Sequence, residues 1–427
     1  VLQRAGPPPL VPVPKNPRPG VEPRLAPGRP EHSIHSRLTR RAAGKGIRCI
    51  AARPSRHSGS KRSSCCWIPR PAARHHELLD PETGRPAPRI PAVDDDATST
   101  FKAEFARFQL ESNTPVCRTA VEAREHLLAA RRTLVVAADR RNLRLVSTGY
   151  SPLGIPAPFP ITDTPRYRRI SDHFGQLLDS HTATGCHVHV GMPDLATSLA
   201  VSNHLRPHLP ALLALTANSP FYDGRDTGHA SWRTVVWSRL PSAGPPPMHR
   251  NPASYQRAVD TLLASGAALD HSMIYWFARP APHLSTLEVR VADAVATAEE
   301  ALLLALLVRA LAAAALHDIA EDRPAPELPD EHLRLATWRA ARDGLEGRGL
   351  DVTGELRPAR SLLDETVKAA LPALDASGDT RLVTDLLDRV LRDGSGAHRQ
   401  RLAHARRNDI ADVIALLAEQ TRAAAPR

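Results

Sequence analysis

The sequence predicts an α+β fold: a curved, mostly antiparallel sheet with flanking helices and a helical C-terminal region. Two segments, "TGCHVHVGM" (184–192) and "STLEVRVADA" (285–294), alternate with a period of two, as strands do when successive side chains face opposite sides. Amphipathic and apolar stretches of helical spacing lie between them. Beyond residue 295 almost every segment carries helical periodicity, through "LVTDLLDRVLRDG" and "DIADVIALLAEQTR". Helices packed on one side of such a sheet make an α+β protein.

At 427 residues the chain is long enough for one large domain or two ordinary ones, and 42% apolar residues suit a globular protein. The most apolar run, "ALLLALLVRALAAAAL" (301–316), is interrupted by Arg309 and has the length of a buried helix, so no membrane partner is expected. Five cysteines (Cys49, Cys65, Cys66, Cys117, Cys186) show no CxxC spacing, which fits reduced thiols and a cytoplasmic location. Residues 1–76 hold 16 Lys and Arg against Glu22 and Glu31, a balance of +14; the chain total is +11, so the remainder carries −3. The basic character therefore belongs to the tail, and the folded body is not expected to take a nucleic-acid partner. A nucleic-acid-associated protein acting through that tail is the alternative, since basic tails bind phosphate weakly and without sequence choice.

Taken in order, "GPPPLVPVPKNPRPG" (6–20) favours extended polyproline conformation, and residues 1–76 build no apolar face; they are expected to be disordered. A domain is expected over 77–427. "DPETG" (80–84) is a turn signal. "FKAEFARFQLESNTP" (101–115) reads as helical, with Glu104 and Glu111 two turns apart on one side. Residues 117–142 read as a helix, 142–149 as a strand, 165–182 as an amphipathic helix and 195–216 as a long apolar helix. Residues 218–247 form a long loop rich in Gly, Pro and Asp that carries Arg225, Arg233 and Arg239; long loops in compact domains are usually functional. No internal repeat, GxGxxG or P-loop is present.

Three stretches place polar groups where a sheet face should be apolar: His187 with His189, Glu288 with Arg290, and Glu104 with Glu111. Buried carboxylates are costly unless paired or bound to a cation. A shared cavity holding Mg²⁺ would satisfy Glu104, Glu111 and Glu288 together. Plainer readings exist for each: a structural or zinc-binding His pair, an exposed polar strand face, ordinary surface arginines.

"GCHVHVGMPD", the whole 205–247 stretch, "MIYWFARP", "TLEVRVADA", "WRAARDGLEGRG" and "ARRNDIADVIALLAEQTR" closely resemble, in sequence and order, the carboxylate–amine ligase family related to bacterial type 2 glutamate–cysteine ligase. The resemblance runs from about residue 78 to the C-terminus. It implies a glutamine-synthetase-like fold, with the sheet curved into a funnel that holds ATP and divalent metal. It also implies an ATP- and Mg²⁺-dependent enzyme that activates a carboxylate as an acyl phosphate and joins it to an amine, nominally glutamate to cysteine. On this reading Glu104, Glu111 and Glu288 are metal ligands, and Arg290 steadies the transferring phosphoryl group, with Glu288 and Arg290 the catalytic pair. Arg239 and Arg233 hold substrate carboxylate, and His187 and His189 line the floor. Partners are small molecules; a homo-oligomer stays open.

The family begins its domain with a strand reading about Gly-Val-Glu-Glu-Glu-Phe before "LLDPETG". Here the acidic triplet falls on Ala73, Arg74 and His75. A cation there would repel Mg²⁺, so a catalytically impaired protein of the same fold is a second alternative. The upstream residues look like a GC-rich gene read in the wrong frame, with the correct frame resuming near 77. Phe277 stands where relatives usually have Asp, and His181 lies in a stretch that commonly carries Gln. Retention on heparin should disappear when the basic tail is deleted; retention that survives the deletion would place a nucleic-acid surface on the folded body.

Overall fold

A computed structural model describes residues 71–81, 83–86, 101–155, 159–179 and 181–423. Most of the basic segment, with its expected disorder and frame change, lies outside them. Seven strands form the main sheet: β1 (Pro71–Leu79), β2 (Phe101–Ala103), β3 (Gln109–Ser112), β4 (Arg144–Val146), β5 (Gly185–Gly191), β6 (Ala278–Ala281) and β7 (Thr286–Asp293). Their order is β6-β7-β5-β1-β3-β2, with β4 paired to the far end of β1. Every pairing in this sheet is antiparallel, as expected. β1 begins at Pro71, so the first strand starts six residues inside the segment expected to be disordered.

The sheet has two unlike faces because its central strands alternate. Cys186, Val188 and Val190 of β5 and Leu287, Val289 and Val291 of β7 enter the main hydrophobic core. His187, His189 and Glu288 take the other side, and the register pairs Glu288 with His189. All eight residues of β7 are buried, so its polar face is covered rather than open to solvent.

Twelve helices are described: α1 (Ala120–Asp139), α2 (Pro165–Phe174), α3 (Leu195–Leu205), α4 (Leu209–Thr216), α5 (Trp232–Trp237), α6 (Pro252–Ala264), α7 (Ala298–Ala320), α8 (Asp330–Asp343), α9 (Ala359–Ser377), α10 (Thr380–Asp393), α11 (Gly396–Ala405) and α12 (Ile410–Arg422). Helix α7 contains the most apolar run. It is long and apolar enough to cross a bilayer, yet it gives most of its residues to the main core and packs against the apolar sheet face. Its start is fixed by a reciprocal pair in which Thr297 and Glu300 satisfy each other's backbone N–H groups.

Several expected elements differ from those observed. Residues 101–112 are a β-hairpin, not a helix. β3 pairs with β1 on one side and β2 on the other, and that ladder of backbone bonds overrides the helix-compatible spacing of the side chains. The apolar segment 195–216 is broken at Arg206–His208, because Pro207 and Pro210 each lack an N–H for a continuing helix. The amphipathic helix ends at Gly175, whose φ of 53° leaves helical conformation; one 3-10 turn follows. The long loop contains α5, and the C-terminal region contains a hairpin, β8 (Arg348–Leu350) and β9 (Leu356–Pro358). "DPETG" turns as expected: Gly84 N–H donates to the Asp80 carbonyl, with Gly84 at φ 65°.

Leu302, fully buried in α7, should cost about 2–5 kcal/mol when changed to Ala. Half-exposed Leu335 on α8 should cost no more than about 0.5 kcal/mol. Urea unfolding of the two variants checks the difference.

Candidate active site

Three adjacent strands bring Arg279, Glu288 and His189 into one cross-strand row, so the three side chains share a face. Arg279 Nε donates to Glu288 Oε2 at 2.7 Å, and Arg290 Nη1 donates to Oε1 at 2.5 Å. His187 Nδ1 lies 3.4 Å and His189 Nε2 3.8 Å from the same Oε1. Burial would raise the Glu288 carboxyl, but Arg290 and then Arg279 outweigh it and hold it down to about 2. Burial pushes His189 down, Glu288 opposing and Arg290 and Arg279 reinforcing the shift. At neutral pH the row therefore holds two guanidinium charges against one carboxylate, with His189 neutral.

A wall of rings fixes the arginines. Arg290 lies over Trp237 at 5.9 Å and over Tyr275 at 5.6 Å, and Arg233 lies over Trp237 at 5.6 Å. His181 stacks on Trp237 with centroids 4.7 Å apart; burial, with Arg233 and Arg239 nearby, pushes it down to about 3. Arg233 comes from α5, inside the loop singled out in the sequence. It is 1% exposed and donates to the carbonyls of Arg290 (3.1 Å) and Val291 (3.4 Å). Burial lowers its pKa to about 10, which leaves it charged at neutral pH. The Nε atoms of Arg233 and Arg290 are buried without a hydrogen-bond partner. Each such orphan donor costs about 1–3 kcal/mol, a cost that an anionic ligand would relieve.

The remaining sequence candidates sit around this centre. Arg239 follows α5 and is exposed. Glu111 opposes His75 across β1 and accepts from Asn113 Nδ2 at 2.9 Å; its charge reaches His189. Glu104 leaves β2, and both Glu104 and Glu111 raise the Tyr167 hydroxyl after burial, with Glu104 the stronger. The hairpin thus places the two acids near one tyrosine through strand pairing, where the sequence suggested a helix face. Among the described residues, no three His, Cys, Asp or Glu side chains gather at metal-ligand spacing. Both Glu288 oxygens are engaged by guanidinium groups. Among the described side chains the donors form no pre-built Mg²⁺ cage.

Arg279, Trp237 and Tyr275 join the site without having stood out in the sequence. Arg279 lies in "MIYWFARP", but its relation to Glu288 exists only once β6 pairs with β7. Glu77 is a further addition. It lies on β1 opposite Gln109 and Val146, with both carboxylate oxygens buried and lacking a hydrogen-bond partner. Burial raises its pKa to about 8, tempered by the nearby Ser151 hydroxyl.

A profile of the family described as glutamate-cysteine ligase family 2 matches residues 75–416. Similar chains include "Putative glutamate--cysteine ligase 2-1" of Saccharopolyspora erythraea, 49% identical over 344 residues (79% of this chain, 90% of that one). The protein of the same name from Nocardia farcinica is 45% identical over 348 residues, covering 81% and 91%. Among solved structures, a bifunctional glutathione synthetase from Pasteurella multocida superposes with TM-score 0.62 at 15% identity, over 83% of this chain and 52% of that one. A glutamate–cysteine ligase of Francisella tularensis in complex with AMP gives 0.59 at 13% identity, over 83% and 89%. At these identities the likeness concerns the fold, and it is the glutamine-synthetase-like ligase fold expected from the motifs.

Glu77 has a raised carboxyl, so its protonated form favours the folded state. That stability is fully present below the unfolded value near 4.5 and is lost as pH rises through about 8. Glu77→Gln should therefore flatten the fall in melting temperature between pH 5 and 8 and stabilise the protein at pH 8. Calorimetric melts across that range check it.

Proposed function

The chain belongs to glutamate–cysteine ligase family 2, and from that premise we propose that it joins glutamate to cysteine with ATP by way of an acyl phosphate. A carboxylate is a poor acyl donor because its oxygen leaves badly. In the first step a carboxylate oxygen attacks the γ-phosphorus of ATP and the bond to the bridging oxygen breaks, releasing ADP. In the second the amine nitrogen attacks the acyl carbon, loses a proton, and phosphate departs with the C–O electrons. Both steps concentrate negative charge on oxygen, so catalysis rests on positioning and charge neutralisation.

The single observation that carries this reading is the gathering of two guanidinium groups on the buried Glu288 carboxylate. Arg290 is held between Trp237 and Tyr275, which supports its role beside the transferring phosphoryl group. Arg233, with its unpartnered Nε, and Arg239 at the outer edge suit the substrate carboxylate. His187 and His189 line the floor beside Glu288. ATP arrives with Mg²⁺ as its own counter-ion. The described carboxylates are not pre-arranged to cage that ion, and the protein's own share of the neutralisation falls to arginine. Use of a nucleotide supports a cytoplasmic setting, as do the buried Cys117 and Cys186, which form no disulfide among the described residues.

A second reading is favoured by the first strand. β1 is formed and in register with β3 and β5, yet positions 73–75 are Ala73, Arg74 and His75 where the resemblance expects three acids. On that reading the chain keeps the fold and nucleotide affinity but does not turn over.

Purified protein with Mg²⁺-ATP, glutamate and cysteine should release phosphate only when both amino acids are present. Calorimetric ATP binding without release, for glutamate–cysteine and for other carboxylate–amine pairs, would favour the impaired reading. Glu288→Ala should lower release about 10²–10³-fold and, by leaving the buried Arg290 guanidinium without its acid partner, also lower the melting temperature. Turnover at the parent rate would remove Glu288 from the site.

A further inference from the structure

Behind the arginines lies a carboxylate that the ligase reading does not use. Asp293 ends β7 and is fully buried. Its Oδ2 accepts from the Asn218 backbone N–H at 2.8 Å and from Ser219 Oγ at 2.7 Å; its Oδ1 accepts from Ser231 Oγ at 2.7 Å. Ser219 Oγ in turn accepts from the Arg233 backbone N–H at 3.1 Å, and Arg233 Nη1 stands 4.0 Å from Asp293 Oδ1. One carboxylate thus fastens the start of the long loop, the cap of α5 and the guanidinium that α5 delivers.

Two glycines make room for this arrangement. Gly185 is the cross-strand partner of Asp293, and a Cβ there would lie 2.5 Å from Arg233 Nη2. A Cβ on Gly149 would lie 2.5 Å from Asp293 Cγ. The Arg233 guanidinium therefore lies in a slot whose floor is bare backbone and whose back wall is Asp293. Its two Nη atoms are spent on the backbone of β7, and its Nε is the nitrogen left over.

We propose that Asp293 is a positioning residue that fixes the Arg233 guanidinium beside Trp237 and the Arg290 backbone, and so sets affinity for the carboxylate substrate but not for ATP. The assignment of Arg233 to substrate carboxylate rests on the ligase reading; the positioning of Arg233 by Asp293 does not. A merely structural Asp293 would change stability while leaving the contrast between the two substrates untouched.

The test uses the full chain as Asp293→Asn, Gly149→Ala and, as reference, Arg233→Lys. Asp293→Asn keeps the shape and some hydrogen bonding but removes the charge; Gly149→Ala keeps the charge and crowds it. Both should raise the KM and the calorimetric Kd for glutamate at least tenfold, with the KM for ATP within twofold of the parent. Nitrogen-15 NMR of arginine-labelled protein, with Arg233 assigned by its loss in Arg233→Lys, should show a slowly exchanging Nε–H in the parent that exchanges fast in both variants. Glutamate affinity and Nε–H exchange both unchanged in a folded Asp293→Asn protein would overturn the proposal. Should the parent neither bind glutamate nor release phosphate while the Nε–H signal still responds, the substrate assignment falls and the positioning of Arg233 stands.

Discussion

Burying an ionised carboxylate costs several kcal/mol unless its charge and lone pairs are met in place, and Glu288 meets that condition on the covered face of the sheet. It takes Arg279 on one oxygen and Arg290 on the other, with two imidazoles within 4 Å of the second. The rest of the site depends on that clamp. Without Glu288 the two guanidinium groups would repel each other across a few ångströms of protein, and Arg290 would lose the acid that holds it against the Trp237 and Tyr275 rings. With it they form a cluster of two guanidinium groups on one carboxylate.

The clamp requires strand pairing of a particular register. Arg279, Glu288 and His189 come from three strands and align because β6, β7 and β5 are antiparallel neighbours; a slip of one residue would send the whole row into the apolar core. The register is held from the opposite side, where Val188, Val190, Leu287 and Val289 pack beneath α7 and its neighbours. A hydrophobic core on one face thereby fixes the electrostatics on the other. The same logic extends to Arg233. Asp293, at the end of β7, ties the start of α5 to the sheet through Ser231 and lies 4.0 Å from the guanidinium that α5 carries.

Hydrogen bonding explains where the site stays unfinished. Main-chain carbonyls take both Nη groups of Arg233, Glu288 takes Arg290 Nη1, and the Nε of each has no acceptor. A folded protein leaves few buried donors in this state. On the proposed ligase reading these two donors suit an oxyanion, which both a carboxylate and a phosphoryl group present.

Much of this was legible in the sequence, for reasons that can be named. Period-two alternation in "CHVHV" and "LEVRV" forces His187, His189 and Glu288 onto the face opposite the valines, because a strand leaves them no other place. The apolar run at 301–316 had to be buried, and the motif order from 185 to 422 carried the family. Sequence could not show that Arg279 meets Glu288, that the 101–112 segment pairs as a hairpin, or that Glu77 is fully buried. Nor could it show that Asp293 stands behind Arg233, which lies far earlier in the chain. Each is a relation between segments distant along the chain, and periodicity reports only which way a side chain faces, never what another strand brings opposite to it. The residues were set by the sequence; their partners, and so their charges and their roles, were set by register and packing.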